Sequence, residues 1–133
     1  MFLISSIGAL HLHIEEHADL SYAKVEGIDV PTSPLPAMPE ATFVSCRFDH
    51  ASIFPENMTG TVFADCRMSA LRLSGGTLFG AQFLRCDLRG TVFQDCDLSA
   101  VQFVDCLLDG ADFLGCDMDT AHFETTRRTP AAA

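Results

Sequence analysis

From Ala41 onward every fifth residue is large and apolar, and no other feature of this sequence restricts its folding as much. The positions are Phe43, Phe48, Ile53, Met58, Phe63, Met68, Leu73, Leu78, Phe83, Leu88, Phe93, Leu98, Phe103, Leu108, Phe113, Met118 and Phe123. That makes 17 in succession over 85 residues, without one slip of register. Two residues before each, the side chain is mostly small, as in Ala41, Cys46, Thr61, Ala81, Cys96 and Ala121. An amphipathic helix repeats about every 3.6 residues and a strand about every 2, so neither produces a strict five. Short repeated units bury a core only by stacking on their neighbours, which points to a solenoid.

A small residue, a polar one, Leu or Phe, and two variable positions resemble the repeat of the pentapeptide-repeat family. The resemblance covers residues 41–125. It implies an all-β fold, a right-handed quadrilateral β-helix with one five on each side and four fives per coil. The central residue and the small residue then point inward. On that plan residues 41–125 make about four coils, a rod only ~20 Å long at the ~4.8 Å spacing of stacked strands.

A twenty-residue coil predicts that residues 20 apart stack. One side then carries Phe43, Phe63, Phe83, Phe103 and Phe123, whereas the side with Met58, Leu78, Leu98 and Met118 has no Phe. A bare five-residue repeat does not demand this sorting, so it supports the coil length independently. The six cysteines fall into the same columns, Cys46, Cys66, Cys86 and Cys106 in one, Cys96 and Cys116 in another. Their spacings of ten and twenty match no zinc-binding pattern, and small, buried thiols are the expectation. No metal and no cofactor is expected.

The register is weakest over residues 52–80. Glu56 falls at an inward position after Pro55, and Gly75 and Gly76 stand where a corner belongs. A buried, unpaired carboxylate is costly, so either the coil bulges there or Glu56 turns outward as a feature a partner reads. Residues 1–40 show no register. An alternating stretch at 9–14 suggests a strand, residues 19–25 a second strand or a short helix, and four prolines from Pro31 to Pro39 an extended connector. An open solenoid end needs covering, so the division is an irregular N-terminal cap and connector over 1–40, a solenoid over 41–125 and a disordered tail over 126–133. No helix follows Phe123, which makes the C-terminal coil a candidate homodimer interface.

The formal charge of −10 argues against direct nucleic-acid binding, which needs clustered Lys and Arg. No window reaches the roughly 20 apolar residues of a membrane span, and residues 1–10 lack the basic start of a secretory signal. A cytoplasmic location is expected. His13 and His17 frame an H-x-x-E-H pattern that formally matches a zinc-peptidase signature, but the alternating residues before it read as a strand rather than the required helix. Asn57 heads a glycosylation sequon whose Met58 occupies a core slot. There is no phosphate loop and no nucleophile elbow, so the chain reads as a non-enzyme.

Function then rests on the outward positions. After the rings of the all-Phe side come Val44, Ala64, Leu84 and Val104, with Val62 beside them. Such an apolar stripe is covered by the amino-terminal segment, a partner or a second subunit. The outward acids of the C-terminal coils, Asp97, Asp117 and Asp119 among them, spread over all four sides. The expectation is a non-catalytic interaction module of the immunity or adaptor type, with Val44, Val62, Leu84, Val104 and Glu56 as candidate contacts. The alternative comes from the family resemblance, which implies an acidic mimic of DNA that binds gyrase or topoisomerase and confers resistance to its poisons. That role would rest on Asp97, Asp117 and Asp119.

Overall fold

A computed structural model describes residues 3–4, 24–27, 39–48, 52–53 and 57–124. Each five supplies at most three extended residues before the backbone turns, so the strands are very short. Strands β3 (Thr42–Val44), β5 (Val62–Ala64), β7 (Gln82–Leu84), β9 (Gln102–Val104) and β11 (His122–Glu124) stack in parallel on one side. Opposite them lie β4 (Ser52–Ile53), β6 (Arg72–Ser74), β8 (Val92–Gln94) and β10 (Asp112–Leu114). Register runs Phe43 to Phe63 to Phe83 to Phe103 to Phe123, and Leu73 to Phe93 to Phe113, so the coil is the expected twenty residues. The chain is a β-solenoid of about four coils with four sides.

The period of five has a backbone cause. On the two sheet sides the fifth residue turns the corner with positive φ, as at Ser45, Asp65, Arg85 and Asp105, all between 53° and 55°. The other two sides pair only through single bridges, Arg47 to Arg67 to Asp87 to Leu107 and Thr77 to Asp97 to Asp117. Those sides end in type II turns, in which the carbonyl of the central residue accepts the N–H three residues on. Leu88 accepts from Thr91 at 3.1 Å, with Gly90 at φ +71° in the position that needs a left-handed residue.

The core is two columns of rings meeting across the rod. Phe63, Phe83 and Phe103 stack at 5.0 and 5.1 Å with interplanar angles of 10° and 8°. Phe93 meets Phe83 and Phe103 edge-on at 5.9 and 6.0 Å. Offset stacks and edge contacts each contribute roughly 0.5–1.5 kcal/mol beyond buried area. The buried cysteines are also tied down. Cys66, Cys86 and Cys106 donate their thiols to the carbonyls of Phe43, Phe63 and Phe83 at 3.4, 3.2 and 3.1 Å. No disulfide joins the six cysteines, of which five are buried and Cys116 is half-buried.

The sheet begins before the pentad register does. Strands β1 (Leu3–Ile4) and β2 (Lys24–Glu26) add two rungs beneath β3, with Ile4 over Val25 and Val25 over Phe43. Both Ile4 and Val25 are buried. Their spacing of 21 and then 18 residues hides them from a count of fives. The segment 19–25 thus reaches a strand at its end. The strand suggested at 9–14, the histidine pattern at 13–17, the prolines at 31–36, Glu56 and the tail lie outside the described residues. From residue 57 the weak stretch is regular, with Met58, Leu73 and Leu78 fully enclosed and Gly75 and Gly76 both at positive φ.

Candidate interaction surface

Outward side chains stand on either side of each central residue, and what they do differs between the sides. On the Phe side Val44, Ala64, Leu84 and Val104 lie in ladder register, each half-buried. Val62, also half-buried, sits on the Ala64 strand and projects in the neighbouring column of Thr42, Gln82 and Gln102. The column of four apolar residues is closed by acids at both ends, Glu26 paired to Val44 and Glu124 paired to Val104. Sequence reasoning found the stripe and missed its ends, because Glu26 lies outside the pentads. Strand N–H groups here run along the rod and are taken up rung to rung. Ser45 donates to Ala64 at 2.9 Å, Asp65 to Leu84 at 2.9 Å and Arg85 to Val104 at 2.8 Å. The face therefore offers side chains and no free backbone.

The preceding side gathers Asp97, Asp117 and Asp119. Asp97 is half-buried and stacks on exposed Asp117, with Asp119 exposed two residues further on. Two of the three have work inside the fold. Asp97 Oδ1 accepts the N–H of Ser99 at 2.9 Å, and Asp117 Oδ1 accepts that of Asp119 at 3.0 Å. Asn57 and Thr77 do the same two coils and one coil before Asp97, to Thr59 at 3.2 Å and Phe79 at 3.1 Å. These are turn-forming contacts that favour Asp, Asn, Ser and Thr at that position. Hydrogen bonds from the Ser99 side chain and backbone hold the Asp97 carboxyl below its usual range.

Other charges are paired. Arg85 Nε lies 2.8 Å from Asp65 across one rung, and Arg89 grips Asp87 through Nε at 2.8 Å and Nη2 at 2.7 Å. Each guanidinium holds its partner's carboxyl low. Burial pushes the Cys96 thiol up to about 11, so it stays protonated at neutral pH. Among the described residues no group of His, Cys, Asp and Glu could hold a metal ion, and no helix is long and apolar enough to cross a membrane. Besides Leu3, which precedes the pentads, two exposed apolar residues went unremarked in the sequence, Phe79 and Leu114. Both occupy the position after a central residue, and that placement could have flagged them.

A family model described as pentapeptide repeats matches residues 86–124 in 8 copies. The search of curated protein sequences found no match. Among solved structures, the pentapeptide repeat protein Rfr23 from the cyanobacterium Cyanothece 51142 aligns with a TM-score of 0.63 at 9% identity, covering 89% of this chain and 95% of its own. A trypsin-treated form of QnrB1, a plasmid-mediated fluoroquinolone resistance protein, aligns with a TM-score of 0.45 at 19% identity. That match covers 80% of this chain and 53% of the other, so this chain spans about half its length.

Proposed function

We propose that this chain, a pentapeptide-repeat protein, is a non-catalytic module that binds a protein partner through its Phe side, in the manner of an immunity or adaptor protein. The observation that carries the reading is the register of Val44, Ala64, Leu84 and Val104 over a stack of enclosed rings. A surface built this way is pre-organised, and burying apolar side chains that are already fixed costs little ordering entropy on association. The net charge of −10 favours basic partners and speeds their encounter.

The acidic DNA-mimic reading draws on Asp97 stacked over Asp117. It has less behind it, because both carboxylates are engaged by backbone N–H groups while Arg85 and Arg89 neutralise Asp65 and Asp87. Two experiments separate the readings. In affinity capture from the native host, wild-type protein should retain a partner that the Leu84→Asp, Val104→Asp double variant loses. Retention by both removes the stripe from consideration. In a gyrase supercoiling assay the wild-type chain should be inert up to tens of micromolar. Inhibition that disappears when Asp97, Asp117 and Asp119 are all changed to Asn would establish the mimic instead.

A further inference from the structure

We draw no further inference here: the strongest candidate, the last coil, where Ala111, Phe113, Met118 and Phe123 stand only partly enclosed at the C-terminal end of the core, carries nothing because nothing in the structure shows what covers it.

Discussion

The Phe side and the side of Asp97 are built on the same coil, yet their outward residues are committed differently. On the Asp97 side Asn57, Thr77, Asp97 and Asp117 all close turns on their own backbone. On the Phe side the turning is done by positive-φ residues such as Asp65 and Arg85, and the outward Val44, Val62, Ala64, Leu84 and Val104 carry no polar group that could close a turn. Local turn chemistry fixes residue choice on one side and leaves it open on the other. Apolar residues held in register where the fold does not call for them are the stronger sign of selection for binding.

That contrast can be broken in several ways. The largest effect belongs to the ring stack that stiffens the Phe side. Phe83→Ala should cost about 3–5 kcal/mol in urea denaturation, and Leu98→Ala beneath the Asp97 side about 2–3 kcal/mol. Equal costs would mean that neither side is the more rigid platform. Next comes the corner opposite to both. Gly90 stands at φ +71° with only the Ala70 backbone near its missing Cβ, at 3.8 and 3.9 Å. Gly90→Ala should therefore lose about 1–2 kcal/mol from conformational strain alone.

Smaller still, and most pointed, is the pair Asp97→Ala and Leu84→Ser. The first should lose about 1 kcal/mol with its turn contact, the second within about 0.5 kcal/mol as a surface change. A reversed order in thermal melts would show the stripe to be part of the fold. The smallest effect is acid sensitivity. The carboxyls of Asp65, Asp87 and Asp97 are all held below their ordinary range, so each stabilises the fold fully above about pH 4. That contribution fades as pH falls through the lowered folded-state values. Asp97→Asn should flatten the loss of Tm below about pH 4, and an unchanged profile would remove Asp97 from the turn.

Much of this was legible in the sequence because the solenoid enforces register. Seventeen uninterrupted fives gave the coil, and the all-Phe column gave its length. The stripe followed from counting one position past each ring. The first two rungs were not legible, since Ile4 and Val25 join the ladder after connections that are not multiples of five. Nor was the duty of Asp97 and Asp117, because an outward carboxylate reads as a free charge until its backbone partner is seen. The recurrence of Asn57, Thr77, Asp97 and Asp117 at one position held that signal.

The most direct measurement is calorimetric titration of the captured partner against wild type, the Leu84→Asp, Val104→Asp double variant and the Asp97→Asn, Asp117→Asn, Asp119→Asn triple variant. Loss of at least about 100-fold in affinity for the double variant and less than about threefold for the triple is the predicted pattern. The reverse pattern would place function on the acidic side and contradict the account.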